Sequence, residues 1–297
     1  MSSCFVTEIN LHLKDKLKED LLTQGFQLTT PPYTVFSAKK NGVSCTLYTS
    51  GKLTVQGKGK DEFISFYLEP EILGNLSYSH PEISLDLTPR IGIDEAGKGD
   101  YFGPLCIAGI QANGNQIKEL MALGVRDSKK MNDNVIKTLS HKIKQKVPYT
   151  IVRLTPKKYN ELYEKFHNLN KLLAWGHATA IGDLVEKTGC RNAIIDQFAD
   201  ESVVIVALKN KRLDINLTQR HRGEEDLVVA AASILARSAF LEGMEELSNN
   251  VSMVLPKGAA AHVIQAAKNL VAKHGKEVLQ VVAKLHFKMT HEVLGNA

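Results

Sequence analysis

With 297 residues, the chain is long enough for two domains, each with its own hydrophobic core. Hydrophobic residues make up 43% and charged residues 23%, which excludes a disordered chain, and a net charge of +5 does not by itself indicate a nucleic-acid partner. The start has no signal-peptide pattern, and the longest apolar run, residues 227–236, is too short to cross a bilayer. We therefore expect a cytoplasmic protein with no membrane partner, acting as a monomer.

The N-terminal region shows a helical pattern followed by an alternating one. Apolar residues recur every four positions within residues 8–23, at Ile9, Leu13, Leu17 and Leu21. This spacing predicts a helix with one apolar face. Residues 43–47 and 53–55 alternate between apolar and polar side chains on either side of Gly51, which predicts a β-hairpin. We predict a small α+β domain over residues 1–80, in which the helix covers one face of the sheet.

The stretch 31–60 contains five lysines and no acidic residue. One interpretation is a solvated sheet face whose lysines prevent edge-to-edge aggregation. The other is a basic surface that binds phosphate groups, with Lys39 and Lys52 as candidate contacts. The residues alone leave both interpretations open.

A segment rich in Gly, Asn, Ser and Pro follows, and we place an interdomain linker at residues 81–88. Residues 89–297 form the second predicted domain. Its predicted strands lie at about 89–95, 104–112, 149–155, 192–197 and 202–208. Its predicted helices lie at about 115–123, 133–146, 157–188, 224–248, 259–274 and 276–295. This order indicates an α/β domain with a mixed sheet flanked by helices.

The first strand of this domain ends at two adjacent carboxylates, Asp94 and Glu95, and the tripeptide Gly97-Lys98-Gly99 follows at once. Neighbouring acids repel each other unless a cation lies between them, and Mg²⁺ and Mn²⁺ prefer oxygen ligands of this kind. Glycine lets a backbone approach a ligand closely, because it lacks a Cβ. The pattern suggests metal-dependent phosphodiester chemistry, although a strand that ends in a charged turn would also contain such a pair.

This stretch, R-I-G-I-D-E-A-G-K-G-D-Y-F-G-P-L, resembles the signature of prokaryotic type 2 ribonucleases H, and its ending G-D-x-F-G-P resembles the ribonuclease HIII group in particular. Further resemblances follow in order at Asp127-Ser128-Lys129, Ile195-Asp196, and residues 229–237, 255–258 and 286–288. Residues 36–39 and 50–57 are similar more loosely. The resemblance implies a ribonuclease H-like mixed sheet flanked by helices. It also implies that the N-terminal α+β domain has a fold resembling the TATA-binding protein and holds the substrate.

A nuclease of this kind needs carboxylates that converge from separate parts of the chain. Asp196 ends an apolar strand, which should bring it to the same sheet edge as Asp94. A fourth acid is expected within Glu224-Glu225-Asp226, at the start of a long helix whose free N–H groups favour an acid. Successive helical residues point about 100° apart, so the three acids cannot all face one site. We predict Asp226, because it lies two helical turns before Ser233 and shares its face.

The resemblance implies an endonuclease that hydrolyses the RNA strand of RNA–DNA hybrids with two divalent metal ions, Mg²⁺ or Mn²⁺, leaving 5′-phosphate and 3′-hydroxyl ends. The implied metal ligands are Asp94, Glu95, Asp196 and Asp226. Backbone groups of Gly97-Lys98-Gly99 would sense the 2′-hydroxyl that distinguishes RNA from DNA. Lys129 and Ser233 would contact the substrate backbone.

Three alternatives stay open on the sequence. The chain could have ribonuclease HII-like activity on ribonucleotide–DNA junctions, or it could bind nucleic acid without cleaving it. The third alternative is a dinucleotide-binding loop, because Gly97, Gly99 and Gly103 follow a strand. In that motif the third glycine comes one place earlier, and two acids before the loop would repel a pyrophosphate.

Overall fold

The computed structural model describes residues 4–74, 78, 85–125, 128 and 131–295. The chain divides into two compact units, Met1–Asp86 and Leu87–Ala297, and each has its own hydrophobic core. The linker predicted at residues 81–88 lies partly outside the described residues.

The first unit is an antiparallel sheet with helices on one face. Its strands are β1 (Phe5–Glu8), β2 (Gln27–Thr29), β3 (Thr34–Lys40), β4 (Val43–Tyr48) and β5 (Lys52–Gln56). They lie in the order β1-β5-β4-β3-β2, and every neighbouring pair is antiparallel. The helices are α1 (Lys14–Thr23) and α2 (Lys60–Phe63), which continues as a wider π-helix over Ile64–Leu73.

The predicted hairpin is confirmed, because β4 and β5 pair directly and turn their apolar residues toward the core. The helix predicted over residues 8–23 is correct only in its second half, where Leu17 and Leu21 are buried on α1. Before it, the chain is extended as β1, and the Asn10 side chain then caps a short 3₁₀ turn by accepting the His12 N–H. A polar capping residue thus divides an apolar pattern that looks continuous.

The second unit contains a mixed five-stranded sheet, as predicted. Its strands are β6 (Arg90–Ala96), β7 (Leu105–Ala112), β8 (Tyr149–Leu154), β9 (Asn192–Asp196) and β10 (Asn216–Arg220). They lie in the order β10-β9-β6-β7-β8. Strands β10, β9 and β6 are parallel, whereas β7 and β8 pair antiparallel.

Helices cover both faces of this sheet. They are α3 (Gly114–Ala122), α4 (Asp133–Lys144), α5 (Pro156–Phe166), α6 (Leu169–Thr188), α7 (Glu201–Asn210), α8 (Leu227–Asn250), α9 (Ala261–His274), α10 (Leu279–Val282) and α11 (Met289–Leu294). The start of α8 lies against Gly92 of β6, whereas Ile93 points to the opposite face and packs in the cluster that includes α6. The sheet therefore lies between two long helices.

The strand predicted at about residues 202–208 is wrong, because this segment forms α7. Its run of Val and Ile favours a strand by local propensity. Asp200 instead caps a helix by accepting the Ser202 N–H, and Val204 and Leu208, four residues apart, are buried on the face that meets α6. Tertiary packing has overridden propensity, and the fifth strand is β10.

Two predicted helices are interrupted. The helix predicted over residues 157–188 divides at His167, whose φ of 48° is left-handed, and the Asn168 side chain then caps α6. The helix predicted over residues 276–295 breaks between α10 and α11, where Ala283 is extended and forms an isolated bridge with Phe102. This second break carries Lys284 into the interior.

Within the described part of the chain, α8 alone is long and apolar enough to cross a membrane by length and composition. It is longer than the apolar run seen in the sequence, yet 83% of its apolar window is buried inside the unit. It is therefore the core helix of the second unit.

Candidate active site

Strands β6 and β9 are parallel neighbours, and an acid follows their last register pair on each strand. That pair is Ile93 with Ile195, so the next residues, Asp94 and Asp196, lie side by side where the pairing of β6 with β9 stops, while β6 continues against β7 as far as Ala96. Both line one cavity, together with Glu95. The sheet thus brings together three of the acids predicted from the sequence.

Asp94 lies half-buried in the cavity wall. Its Oδ1 accepts the Glu95 N–H at 2.8 Å, and the Ser233 side chain also hydrogen-bonds to the carboxylate. Burial raises the pKa of the Asp94 carboxyl to about 7, and the neighbouring Glu95 carboxylate adds to the rise. This part of the cavity has an excess of negative charge that a cation would relieve.

Glu95 is held by two basic side chains. His177 Nε2 lies 3.0 Å from Glu95 Oε2, and Lys98 Nζ lies 3.5 Å from Oε1. Burial by itself raises the pKa of Glu95, but the His177 hydrogen bond and the Lys98 charge outweigh it and leave that pKa lowered. Glu95 is therefore ionised and fixed in orientation.

His177 is completely buried on α6, and its ring lies 4.7 Å from the Phe198 ring between centroids. Its Nδ1 has no hydrogen-bond partner in the described structure. Because a carboxylate can only accept, Nε2 carries a proton and donates it to Glu95.

The two glycines beside Lys98 differ in their surroundings. Gly97 has a φ of 88°, and a Cβ there would lie 2.2 Å from the Pro104 carbonyl oxygen, so the fold itself requires glycine. Gly99 is exposed, and a Cβ there would meet no atom within 4 Å. Internal packing does not explain the glycine at position 99, which leaves the backbone open to a ligand.

Asp226, the predicted fourth acid, is not among the residues that line the cavity in the described structure. Its Oδ2 pairs with buried Arg90, at 2.9 Å from Nε and 2.8 Å from Nη2. Its Oδ1 accepts the N–H groups of Val228 and Val229, so Asp226 caps α8. The prediction assumed that Asp226 was helical, but its φ of −76° and ψ of 129° are extended.

Glu224, two residues before Asp226, does line the cavity. It lies in the 3₁₀ turn Gly223–Glu225, which precedes α8. The Gly223 N–H donates to Asp196 Oδ1 at 2.9 Å, so this turn is fixed to the end of β9. Its neighbour Glu225 is exposed and pairs with Arg222. The four acids of the cavity are thus Asp94, Glu95, Asp196 and Glu224.

Hydroxyl and basic groups complete the cavity wall. Ser233 Oγ lies 2.7 Å from Ser128 Oγ. Arg237 and Lys257 also line the cavity, and each donates to the Asp133 carboxylate at 2.8 Å. Acids and cations around one cavity suit a phosphodiester substrate. The predicted contact Lys129 lies outside the described residues.

The acids of the cavity fit a hard divalent cation. Among the described residues, no three His, Cys, Asp or Glu side chains already stand where they would hold a metal ion. Asp94, Glu95, Asp196 and Glu224 nevertheless offer carboxylate oxygens around one cavity, the ligands that Mg²⁺ and Mn²⁺ prefer. A cation bound here would offset the burial and the Glu95 charge, which together raise the pKa of Asp94.

In the first unit, Lys39 and Lys52 lie exposed on the face of the sheet opposite the core. Cross-strand pairing aligns Lys39 with Ser44 and Ser44 with Gln56, and Lys52 follows the same alternation along β5. The other lysines of the acid-free stretch are not all equivalent. Lys40 donates to the Gln24 carbonyl, and buried Lys60 bonds to Asp61 and Tyr78. This face of the sheet, which we call the open face, carries both predicted lysines and is mostly polar, with Glu8 opposite Lys52 and exposed Val6 at its β1 edge.

Sequence reasoning missed His177, which does not line the cavity itself but binds Glu95, a residue that does. His177 lies in a largely apolar helix, where a histidine is usually a core residue, and the only signal is that polar side chain among Leu, Ala and Trp. Glu224 was considered and set aside. Locating the first helical residue at Leu227 would have excluded Asp226, but the sequence does not fix that boundary.

Comparison with known proteins gives consistent matches. Residues 91–290 match the family model "Ribonuclease HII", and residues 4–77 match a "Domain of unknown function (DUF3378)". Ribonuclease HIII of Protochlamydia amoebophila (strain UWE25) is 56% identical over 98% of this chain and 97% of its own length. Ribonuclease HIII of Chlamydia felis (strain Fe/C-56) is 51% identical over 100% of this chain and 99% of its own. The crystal structure of Bst-RNase HIII in complex with Mn²⁺ has a TM-score of 0.69 and 31% identity, over 99% of this chain and 98% of that one.

Proposed function

The chain belongs to the ribonuclease HIII family, and we propose that its acidic cavity cuts the RNA strand of RNA–DNA hybrids with Asp94, Glu95, Asp196 and Glu224 as metal ligands. The activity is endonucleolytic hydrolysis that leaves 5′-phosphate and 3′-hydroxyl ends. Relatives of this name match both units of the chain, which favours ribonuclease HIII over ribonuclease HII, whose family model covers the second unit alone.

The observation that carries the residue assignment is the shared edge of β6 and β9. Parallel strands deliver Asp94 and Asp196 to one point, and the turn bound to Asp196 supports Glu224 as the fourth acid. Asp226 has both oxygens engaged by Arg90 and the start of α8, which argues against a role as ligand. The assignment is therefore four carboxylates from three segments.

The cofactors are divalent ions, Mg²⁺ or Mn²⁺. The related Bst-RNase HIII was crystallised with Mn²⁺, and the carboxylate set of this chain suits the same ion. When bound, two such ions activate the attacking water and neutralise the charge that develops on the phosphate. The protein supplies the fixed positions of the four acids.

Three neighbouring residues have supporting roles. His177 donates to Glu95 from a completely buried position, so it fixes the direction of one ligand. Lys98 pairs with Glu95, and its half-exposed ammonium can approach a substrate phosphate. Ser233 hydrogen-bonds to Asp94 and Ser128, and thus orients Asp94.

Selection of RNA over DNA rests on Gly97-Lys98-Gly99. The open backbone at Gly99 supports a close approach to the 2′-hydroxyl, which is the group that distinguishes the two nucleic acids. Gly97 supplies the turn that presents this backbone.

The first unit contributes affinity for the hybrid through its polar face. Lys39 and Lys52 are exposed there beside Ser44 and Gln56, an arrangement suited to phosphate groups rather than to base edges. On this proposal, the two interpretations of residues 31–60, a solvated sheet face and a phosphate-binding surface, describe the same face of the sheet. We expect the protein to act as a monomer in the cytoplasm.

An end-labelled RNA–DNA hybrid tests this function. The purified protein should cut only the RNA strand with Mg²⁺ or Mn²⁺, should not cut an all-DNA duplex of the same sequence, and should stop when EDTA is added. The new RNA ends should carry 5′-phosphates. Equal cutting of both duplexes, or cutting that continues in EDTA, would refute the proposal.

A further inference from the structure

Lys284 is completely buried in the second unit, a rare position for a lysine. Its Nζ donates to the backbone carbonyl oxygens of Asp100 (2.8 Å), Phe102 (3.4 Å) and Gly103 (2.7 Å). An ammonium group has three donors, and all three are used. The side chain therefore binds three carbonyls of one short segment at once.

No carboxylate in the described structure lies within ion-pair distance of Lys284, so its hydrogen-bond partners are backbone carbonyl oxygens. Asp100 is the nearest acid, and its Oδ1 is engaged with the Gly258 N–H. The remaining neighbour is the Tyr159 ring, whose centroid lies 5.8 Å from Nζ. Burial lowers the pKa of Lys284 to about 7, so holding a charge at this position costs stability. Such a group, outside any ion pair, points to a role beyond packing.

The three carbonyls belong to the segment that directly follows Gly97-Lys98-Gly99. Other bonds fix the same segment: the Tyr101 N–H donates to the Gly258 carbonyl at 2.9 Å, and the Gly103 N–H donates to the Val282 carbonyl at 3.0 Å. The Tyr101 and Phe102 side chains are completely buried. The loop thus has a fixed half, residues 100–103, and an open half that includes exposed Gly99.

We propose that Lys284 is a positioning residue for RNA cleavage: by binding three carbonyls of the fixed half, it sets where the open half meets the ribose of the substrate. The inference rests on the proposed role of Gly97-Lys98-Gly99 in sensing the 2′-hydroxyl. Lys284 itself does not reach the cavity, and it acts only through the loop. Neutral side chains of similar length cannot replace it, because they offer no donors to the three carbonyls.

The test compares Lys284→Met with Lys288→Met, which removes the same charge from an exposed position four residues later. Each full-length protein is given a hybrid and the same hybrid with one 2′-deoxynucleotide at the scissile position. Lys284→Met should lower kcat by about 10–100-fold, because a small misplacement of a substrate-contacting group is costly. It should also reduce the preference for the ribonucleotide. Lys288→Met should match wild type in both.

The ratio of the cleavage rate on the hybrid to the rate on its 2′-deoxy version distinguishes a positioning role from a loss of folded protein. A smaller folded fraction lowers both rates by the same factor and leaves their ratio unchanged. An unchanged ratio in folded Lys284→Met would overturn the inference. A wild-type protein that ignores the 2′-deoxy substitution would overturn the proposed function of the loop, and the role of Lys284 with it.

If Lys284→Met does not fold, amide hydrogen exchange in the wild-type protein tests whether residues 100–103 are held in a fixed position. The Tyr101 and Gly103 amides should exchange as slowly as those of β6, and Gly99 should exchange quickly. Fast exchange at all three would show that residues 100–103 are not fixed, which contradicts the inference.

Discussion

The acidic cavity and the open face of the first unit hold their charges in opposite ways. In the cavity wall, Asp94 and Glu95 are partly buried, and each is bound by a side chain of another element: Ser233 of α8 binds Asp94, and His177 of α6 binds Glu95. On the open face, the Lys39 and Lys52 ammonium groups are exposed, and neither makes a hydrogen bond or ion pair with another described residue, although Glu8 lies opposite Lys52 in the strand register. The cavity holds its acids in fixed positions by partly burying them, which costs stability. The open face leaves its lysines exposed to solvent.

This difference indicates a division of work. Chemistry requires groups held in place before the substrate arrives, because reorganisation at the moment of reaction adds to the barrier. Affinity for a polyanion requires only cations near its phosphates, and it weakens steeply with salt. Changes in the cavity should therefore alter turnover, and changes on the open face should alter binding.

After the loss of Asp94 itself, the largest effect should come from the fourth acid. Glu224→Ala should lower kcat by about 10²–10³-fold while the Tm stays close to wild type, because the side chain lines the cavity. Glu225→Ala is the matched control, since Glu225 is exposed and pairs only with nearby Arg222. Single-turnover cleavage measures both. A near-wild-type rate for Glu224→Ala would remove it from the ligand set.

Asp226→Ala should give the reverse result. It leaves Arg90 buried without its carboxylate and α8 without its cap, so the free energy of unfolding should fall by about 3–5 kcal/mol. Urea unfolding measures this loss. Cleavage per folded molecule should remain well above that of Glu224→Ala, and a stable but inactive Asp226→Ala would reinstate Asp226 as a ligand.

The two glycines beside Lys98 should separate stability from turnover within one loop. Gly97→Ala should destabilise the protein by more than about 1 kcal/mol, because φ is 88° and the Pro104 carbonyl blocks a Cβ. Gly99→Ala should leave the Tm unchanged and still slow hybrid cleavage by about tenfold or more, if the ribose approaches there. Full activity in Gly99→Ala would place the 2′-hydroxyl contact elsewhere.

The open face should affect binding alone. The double variant Lys39→Ala/Lys52→Ala should bind hybrid roughly tenfold more weakly and reduce the slope of log K against log salt by about 2. Its kcat at saturating substrate should not change. Lys18→Ala, on exposed α1, is the control for loss of charge. An unaltered salt slope in the double variant would mean that this face does not meet phosphates.

The smallest effect concerns stability without metal. Between the ordinary value of 3.8 and about 7, folded Asp94 retains a proton that the unfolded chain has lost, so its contribution to stability falls as pH rises through this window. In EDTA at pH 8, Asp94→Asn should therefore have a Tm higher than wild type by ~3 °C or more. The difference should shrink at pH 5. A lower Tm for Asp94→Asn at both pH values would contradict this account.

The features that could be predicted from the sequence are those that follow from the position of an acid after an apolar strand. Asp94 and Asp196 each close an apolar β-branched run, and parallel pairing then requires that they meet. The fold class followed in the same way from alternating elements. These features depend on local patterns, which a sequence displays directly.

The remainder depended on tertiary contacts that no local pattern shows. The exact start of α8 decides whether Asp226 or Glu224 faces the cavity, and the sequence does not fix that start. Buried Arg90, which binds Asp226, lies far from it in the sequence. The Val and Ile residues of α7 favour a strand by local propensity, and its packing against α6 is not visible in the sequence. Likewise, nothing near position 177 indicates that this histidine faces Glu95.

The central claim is that the acidic cavity performs the chemistry and the open face only the binding. The most direct measurement is single-turnover cleavage of one labelled hybrid by wild type and Asp94→Asn in Mg²⁺, with hybrid affinity measured in the same samples. We predict that Asp94→Asn loses cleavage by at least about 10³-fold and keeps the affinity of the wild-type protein. Substantial turnover by Asp94→Asn, or a loss of affinity as large as the loss of rate, would contradict the claim.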